Sequence, residues 1–368
     1  MESALVIRTV IWGYTSVSLV SPYLKMLVSD FDYRLPQELI AQRPLPHRDD
    51  SRMMVIRRRE REITHARFKD LPGFFKPGDV LVLNAIKVIP AKTRGKVDGR
   101  EVEFLFLGEI QRGVWEVLCR PAKRVRPEGE VFFSPGLRGE VVGQGPRGKR
   151  LLHLSSGDIP KELSKIGYAP LPPYIKRGKG ESGLRAFDLE RYQTVFARRA
   201  GAIAAPTAGL HFTRETMASL KGRRVQVCRV NLKVGQATFQ PVEAEVVEDH
   251  RMLAEEYAVS ASAAEIINQA KKTGRPVAAV GTTVVRTLES AWRDGRLRSG
   301  TRSTDIFIHP GFPFRVVDRL LTNFHLPKST LLMLVSAFAG RELILKAYSE
   351  AVRERYRFFS YGDCMLIL

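Results

Sequence analysis

The sequence predicts an α/β fold (mixed α+β), in which a large α/β domain with a mixed sheet is interrupted by a small antiparallel β-barrel-like domain. From about residue 166 onward, strand-like apolar runs alternate with helical patterns, which is typical of an α/β sheet. Between residues 89 and 165, short alternating runs are separated by glycine and proline turns, as in a small barrel or sandwich. We therefore predict a large domain of residues 26–88 and 166–368 and an inserted domain of residues 89–165.

The first 25 residues do not share this pattern. They are fairly apolar, but Arg8 interrupts them and no small-residue cleavage site follows, so they predict neither a signal peptide nor a membrane span. The turn-punctuated pattern begins only at Asp30, and Met26 is an alternative start. We expect residues 1–25 to be a disordered extension or a start-site artefact.

Local patterns predict the individual elements. The helix and strands expected in the first half are a short helix at 37–42 and strands at 53–57, 79–83, 102–107, 114–118 and 130–133. In the second half, Thr213 is the predicted N-cap of a helix that ends at Gly222. Ser262 begins a predicted capping box for a helix that ends at Lys272.

Charge and cysteine content restrict the function classes. Lys and Arg number 59 against 39 Asp and Glu, a formal net charge of +20, which favours a polyanionic partner such as nucleic acid. The alternative is a generic basic surface, because net charge informs association and not fold. Cys119, Cys228 and Cys364 are too far apart for the usual zinc or iron–sulfur spacings, so we predict no metal and a reducing, cytoplasmic location.

Two G-x-G-x-x-G matches lack the context of a nucleotide-binding fingerprint. The match at 143–148 lies in the β-rich insert and contains Pro146, and the match at 178–183 follows a proline-rich loop. A dinucleotide fingerprint needs a strand before it and a helix after it. Both matches are therefore interpreted as loops.

Three strand-to-helix junctions are the better candidates for a site. They are the turns at 206–212, at 281–283 and at 325–330, each after a predicted strand. Open α/β sheets bind ligands at the carboxyl ends of their strands, so these turns are expected to form one site.

The side chains in these turns suggest two kinds of role. The backbone N–H groups of Gly281, Thr282 and Thr283 at a helix start favour an anion, and Arg286 one turn later adds a donor fork for a carboxylate. The alternative is simple helix capping. His211 and His325 are either structural or catalytic, since histidine can give or take a proton near neutral pH.

A separate basic run lies in the insert. Residues 120–126 hold four basic side chains that suit phosphate contact, with a solvated charged face as the alternative. The four predicted RNA contacts are Arg120, Lys123, Arg124 and Arg126.

Longer strings carry a family resemblance. They are DFDYRLPQELIAQ at 30–42, LVLNAIKVIPAK at 81–92, PLPPYI at 170–175, ERYQTVFA at 190–197, AAPTAGLHFT at 204–213, GTTVVRTLES at 281–290, TNFHLPKSTLLMLVSAFAG at 322–340 and YRFFSYGDCMLI at 356–367. With these strings, the chain from about Asp30 to the C-terminus resembles the S-adenosylmethionine:tRNA ribosyltransferase-isomerase family of queuosine biosynthesis.

The resemblance implies a catalytic α/β domain with an inserted barrel-like domain and an enzyme of the cytoplasm. S-adenosylmethionine is the ribosyl donor and co-substrate, with no metal or other cofactor. The acceptor is 7-aminomethyl-7-deazaguanine at the tRNA wobble position, and the products are epoxyqueuosine-tRNA, adenine and methionine. We expect a monomer that binds tRNA and does not bind a membrane.

The resemblance also implies which residues act. A base must remove a proton from the carbon next to the sulfonium, and an acid must help adenine to leave, so His211 and His325 are the catalytic candidates, with the two roles left open. The substrate-binding candidates are Thr207, Gly209, Gly281, Thr282, Thr283, Arg286, Asn323, Lys328 and Ser329.

The sequence departs from the family pattern at three positions. The family usually has a histidine where Lys233 stands, a glycine where Ala237 stands and a histidine where Leu253 stands. These departures leave open a catalytically impaired tRNA-binding relative of the same fold. An ordinary methyltransferase is the third possibility, but neither G-x-G-x-x-G match supplies its glycine-rich loop.

Overall fold

The computed structural model of the chain describes residues 25–178, 181–235 and 242–368. Residues 1–24, for which a disordered extension or start-site artefact is expected, lie outside the described residues. Ala237 also lies outside them. The strands are β1 Arg52–Arg57, β2 Glu62–Arg67, β3 Val80–Asn84, β4 Ile86–Val88, β5 Lys92–Val97, β6 Arg100–Gln111, β7 Val114–Arg120, β8 Glu130–Ser134, β9 Leu137–Gln144, β10 Arg150–Leu154, β11 Arg199–Ala202, β12 Gln226–Leu232, β13 Glu255–Val259, β14 Val277–Val280, β15 Trp292–Arg293, β16 Arg296–Leu297, β17 Gly300–Thr304, β18 Arg319–Asn323 and β19 Cys364–Ile367. The α-helices are α1 Ile159–Ile166, α2 Arg185–Arg191, α3 Arg214–Gly222, α4 Ala261–Lys272, α5 Thr282–Ala291, α6 Thr330–Ala339 and α7 Arg341–Arg353.

A nine-stranded mixed sheet forms the centre of the described chain, in the order β17-β13-β12-β3-β14-β18-β19-β1-β2. Alternate residues of β3 belong to different hydrophobic cores: Val80 and Val82 pack on one face, and Leu81 and Leu83 pack on the other. Because successive side chains of a strand point to opposite faces, both faces of the sheet are covered. This explains why β3 is an unbroken apolar run and does not alternate.

The inserted strands β5 to β10 close into a six-stranded antiparallel barrel, in the order β10-β7-β6-β5-β8-β9. Val102, Phe104 and Phe106 of β6 are buried in its interior, and the residues between them face outward. This alternation fills a small barrel with side chains. The predicted fold class, a mixed sheet with an added β-barrel, is confirmed.

Local caps agree with the predictions in part. Thr213 caps α3 by accepting a 3.0 Å hydrogen bond from the Thr216 backbone N–H, as predicted. The cap of α4 is Ser260 and not Ser262, so the predicted capping box begins two residues too late. The helix expected at 37–42 is only one 3-10 turn, Gln37–Leu39, because Ile40 is extended and bridges Phe358.

The sheet topology defines one functional edge. Strands β12, β3, β14 and β18 are mutually parallel neighbours, so their carboxyl ends meet at the same edge of the sheet. The turns at 281–283 and 325–330 follow two of these ends directly.

Candidate active site

Asn84 ties three segments together at this edge. Its Oδ1 accepts hydrogen bonds of 3.2 Å from the backbone N–H groups of Ile86 and Leu232, and its Nδ2 donates to the Leu232 carbonyl at 3.1 Å. Nδ2 also donates to Thr283 Oγ1 at 3.4 Å. This buried amide therefore fixes the ends of β3 and β12 against the start of α5. Sequence reasoning did not single it out, although an asparagine that ends an apolar strand was the available signal.

Gly281 forms the sharp turn between β14 and α5. Its φ of +87° is a left-handed conformation that L-residues other than glycine rarely adopt. Its N–H donates to the Leu321 carbonyl at 2.7 Å, and a Cβ at this position would lie 3.7 Å from the Ala208 Cβ. The turn at 281–283 therefore lies against the turn that carries Thr207 and Gly209, and Thr282 and Thr283 are buried there.

His211 ends a buried 3-10 turn, Thr207–His211. Its Nδ1 lies 3.0 Å from Ser51 Oγ, and its ring stacks on Phe68 at 5.2 Å between centroids. Its Nε2 is buried and has no hydrogen-bond partner among the described residues. Burial lowers the pKa of His211 to about 4, so the ring is neutral at pH 7 with one nitrogen unused.

Asn323, the last residue of β18, lies beside His211. Its side chain favours the protonated form of the His211 ring and so partly opposes the lowering of that pKa. Asn323 Nδ2 donates to the Phe359 carbonyl at 2.9 Å, and its Oδ1 has no partner of hydrogen-bond geometry in the described part of the chain. The edge therefore places a buried histidine nitrogen close to a buried amide oxygen, and neither atom has a well-oriented hydrogen bond among the described residues.

His325 follows two residues later in the turn after β18. Its Nε2 lies 2.9 Å from Thr322 Oγ1, and its backbone is held by Tyr33 and Tyr348: the Tyr33 hydroxyl donates to its carbonyl at 2.5 Å, and its own N–H donates to the Tyr348 hydroxyl at 2.9 Å. Burial lowers the pKa of His325 to about 3. The second histidine is thus also neutral at pH 7, with Nε2 already engaged.

Arg286 makes a buried ion pair instead of presenting an open fork. Its Nη1 pairs with Glu255 of β13, and its Nε donates to the Ile306 carbonyl at 3.2 Å. The other Glu255 oxygen accepts a 3.0 Å hydrogen bond from the Gly235 N–H. Only Nη2 lacks a partner among the described residues. The donor fork that the sequence predicts is therefore largely occupied, because β13 brings a carboxylate to it.

The two remaining candidates of the third turn make local contacts. Lys328 Nζ pairs with Asp32 Oδ2 at 2.9 Å on the exposed rim. Ser329 caps α6, since its hydroxyl accepts from the Leu332 N–H at 3.2 Å. Both residues therefore have structural partners in the free protein.

The basic run in the insert lies on the barrel and not at the sheet edge. Arg120, Lys123, Arg124 and Arg126 are all exposed, and none forms an ion pair with another described residue. Arg124 donates to the Glu101 carbonyl at 3.3 Å. These four side chains are open to a ligand from solution.

Two of the three departures from the family pattern can be located. Lys233 Nζ pairs with Glu256 Oε1 at 2.8 Å, with both side chains 43% exposed. Leu253 is also exposed. Ala237 lies outside the described residues.

Neither a metal cluster nor a membrane helix is present in the described parts. No group of three or more His, Cys, Asp or Glu side chains is placed there to hold a metal ion. No helix there is long and apolar enough to cross a bilayer.

Comparison with known proteins identifies the family. The family model described as "Queuosine biosynthesis protein" matches residues 28–367. The S-adenosylmethionine:tRNA ribosyltransferase-isomerase of Carboxydothermus hydrogenoformans is 50% identical over 345 residues, and that of Symbiobacterium thermophilum is 51% identical over 348 residues; each match covers 93% of this chain and 100% of the relative. The crystal structure of the S-adenosylmethionine tRNA ribosyltransferase of Thermotoga maritima matches with a TM-score of 0.54 and 37% identity, over 92% of this chain and 100% of that one. The chain therefore belongs to the queuosine biosynthesis family whose curated relatives are S-adenosylmethionine:tRNA ribosyltransferase-isomerases.

Proposed function

We propose that this chain is a transferase that moves the ribosyl group of S-adenosylmethionine onto 7-aminomethyl-7-deazaguanine in the tRNA wobble position and isomerises it. The products are epoxyqueuosine-tRNA, adenine and methionine. The observation that carries the proposal is the sequence identity of 50% and 51% to two such enzymes over their full length. A catalytically impaired tRNA-binding relative is not favoured, because the strings around His211, Gly281 and His325 are intact.

His211 is the candidate for the base that removes the proton next to the sulfonium. A neutral imidazole accepts a proton, and the low pKa of His211 keeps it neutral at pH 7. Its Nε2 is unpaired, while the contact between Nδ1 and Ser51 fixes the ring. A positive charge gained by the ring would be placed beside the Asn323 side chain, which favours the protonated form.

His325 is the second catalytic candidate, at the same sheet edge. Adenine is a good leaving group only if its ring receives a proton or a hydrogen bond. His325 is a candidate donor because it lies in the turn next to Asn323. Because its own pKa is lowered to about 3, the ring must first receive a proton before it can act as an acid. A proton passed to His325 from another group of the site would allow it to act as the acid.

The surrounding turns are proposed to hold the donor and the RNA. Thr207, Gly209, Gly281, Thr282 and Thr283 are proposed to line the donor site, since the turns that carry them lie against each other. Asn323, Lys328 and Ser329 are proposed to contact the sugar, adenine or RNA from the third turn. Arg286 is proposed to act through Glu255, by positioning the start of α5.

The exposed barrel residues Arg120, Lys123, Arg124 and Arg126 are proposed to contact tRNA phosphates. The reaction is proposed to need S-adenosylmethionine as co-substrate and no metal, in a cytoplasmic monomer.

The test is to incubate the protein with S-adenosylmethionine and tRNA that carries the deazaguanine base. Adenine release and the modified nucleoside are measured by chromatography and mass spectrometry. Release of adenine together with a ribosyl-modified base supports the proposal. Bound tRNA with no adenine release would instead support the impaired relative.

A further inference from the structure

A small cavity opens beside His211. Its lining includes Arg48, Ser51, Arg191, His211 and Tyr361. Its volume is about 20 Å³, which is room for a water-sized group and not for a base or a sugar. A ligand in this cavity therefore enters with one terminal group.

The two arginines of the cavity have carbonyl partners and no carboxylate partner among the described residues. Arg48 donates to the carbonyls of Leu210 at 3.1 Å and Glu190 at 2.9 Å. Arg191 donates to the carbonyls of Pro46 at 3.0 Å and Leu45 at 2.6 Å. Carbonyl oxygens fix the guanidinium planes but do not neutralise their charge.

The positive charges of Arg48 and Arg191 repel each other. Burial and the adjacent charge of Arg191 lower the pKa of Arg48, with a smaller opposing effect of the exposed Glu190. After burial, the charge of Asp188 contributes to raising the pKa of Tyr361, and Arg177 already binds this carboxylate through two nitrogens at 2.8 Å. The cavity thus keeps an excess of positive charge.

Hydrogen-bond donors in the cavity are also unused. The Tyr361 hydroxyl and Arg191 Nε are buried and have no hydrogen-bond partner in the described chain. Tyr361 is 4% exposed. Burial raises the pKa of Tyr361, so its hydroxyl keeps its proton and remains a donor. Buried polar groups are nearly always paired in folded proteins, so two unpaired donors at one cavity indicate a site for an acceptor.

We propose that this cavity binds one terminal oxygen of a substrate oxyanion, held by the charges of Arg48 and Arg191 and by the Tyr361 hydroxyl. An oxyanion supplies both the negative charge and an acceptor oxygen for the unpaired donors, and the rest of the group lies at the mouth of the cavity. Its seat next to His211 would anchor the substrate against the proposed base. The inference rests on the proposed function, which offers two sources of an oxyanion: the methionine carboxylate of S-adenosylmethionine and a backbone phosphate of the tRNA.

The test uses Tyr361→Phe, with Tyr257→Phe as the matched control. Tyr257 of β13 is likewise a buried tyrosine whose hydroxyl has no hydrogen-bond partner in the described chain, but it does not line the cavity. Because neither hydroxyl is paired in the described structure, neither substitution removes a hydrogen bond from the fold. Melting curves of both variants should therefore match or exceed that of the wild type.

Binding is measured by calorimetric titration with S-adenosylmethionine and with its decarboxylated analogue, and by tRNA titration. A hydrogen bond to a charged group is worth about tenfold to a hundredfold in affinity. If the carboxylate is the ligand, Tyr361→Phe should bind S-adenosylmethionine about tenfold to a hundredfold more weakly than the wild type. Its affinity for the decarboxylated analogue should be unchanged. If a phosphate is the ligand, the same factor is lost for tRNA.

Wild-type affinity of Tyr361→Phe for both S-adenosylmethionine and tRNA would overturn the inference. An equal loss in Tyr257→Phe would also overturn it, because Tyr257 does not line the cavity. Failure of the proposed function is seen separately, as wild-type protein that releases no adenine, whatever the two variants bind.

Discussion

At the level of single residues, the proposed catalysis depends on a buried histidine, His211, with one nitrogen available to accept a proton. His211 is held by Ser51 on one side and by the ring of Phe68, and it is neutral at pH 7 because burial lowers its pKa to about 4. Such a ring is a positioned proton acceptor, and no charge has to be removed before it acts.

We predict that His211→Asn lowers the turnover rate by about a hundredfold to ten-thousandfold, which is the usual contribution of general acid–base catalysis. The affinity for S-adenosylmethionine should change far less, since the substitution keeps a polar side chain of similar size. Initial rates of adenine release measure the effect. His153→Asn, on the exposed surface of the barrel, is the control and should keep the wild-type rate. A His211→Asn variant at the wild-type rate would remove His211 from the mechanism.

Arg286 gives a second prediction at this scale. Arg286→Lys replaces a planar guanidinium that binds both Glu255 and the Ile306 carbonyl, and Arg286→Met leaves the Glu255 charge buried and unpaired. Breaking a buried pair from one side costs about 3–5 kcal/mol, so the methionine variant should melt at a clearly lower temperature and the lysine variant at an intermediate one. Thermal unfolding measures this. Unchanged melting with a weakened affinity for S-adenosylmethionine would show instead that Arg286 binds the donor.

The Arg286 pair also shows what the sequence could not reveal. A donor one turn into a helix is visible in the string GTTVVRTLES, but its partner Glu255 lies on β13, a strand that reaches α5 only through the sheet order. The cavity residues Arg48, Arg191 and Tyr361 likewise come from three distant segments of the chain, and only the fold brings them together. Long-range pairing of this kind has no local pattern.

At the scale of elements, the turn at 207–211 is tightly packed. A Cβ at Gly209 would lie 2.7 Å from the Phe196 Cζ and 2.9 Å from the Thr194 Cγ2. Gly222, at the end of α3, has nothing within 4 Å of its Cβ position. Packing therefore requires glycine at position 209, whereas the space around position 222 would accept a larger side chain.

We predict that Gly209→Ala destabilises the protein by about 1–3 kcal/mol through overpacking and slows turnover, because it displaces the turn that carries His211. Gly222→Ala should be neutral or stabilising by up to about 1 kcal/mol, since it only restricts the unfolded chain. Chemical denaturation and adenine release compare the two. Equal stability of both variants would contradict the packing described for this turn.

Elements with strong local signals were predicted well, and those decided by neighbours were not. The cap at Thr213 is visible because a capping residue precedes a helical pattern, whereas the choice of Ser260 over Ser262 depends on where β13 ends. The expected helix at 37–42 is shortened because Ile40 pairs with Phe358 near the other end of the chain.

At the level of the whole molecule, the pattern of apolar and polar residues along the sequence predicts the fold class. The alternation of Val102, Phe104 and Phe106 gives the barrel strand β6, and the unbroken apolar run of β3 gives a strand buried on both faces. The order of the nine strands could not be read, because strand order is set by tertiary packing.

The net charge of +20 leads to a prediction about RNA affinity. Changing Arg120, Lys123, Arg124 and Arg126 together to Gln should weaken tRNA binding and flatten its dependence on salt, because each lost phosphate contact removes about 0.7–0.9 from the slope. Titrations at several salt concentrations measure the slope. The control changes Arg57, Arg59, Arg61 and Lys69 to Gln, which removes the same charge from the part of the large domain before the barrel. The same slope in both variants would mean that the barrel patch has no specific role.

The proposed activity is tested by one reaction of the protein with S-adenosylmethionine and tRNA that carries 7-aminomethyl-7-deazaguanine, followed by mass spectrometry of the nucleosides. We expect one adenine to be released for each epoxyqueuosine formed, with the same yield in excess chelator when tRNA folding is controlled separately. Methylated tRNA with S-adenosylhomocysteine, or tRNA that is bound and left unmodified, would contradict it.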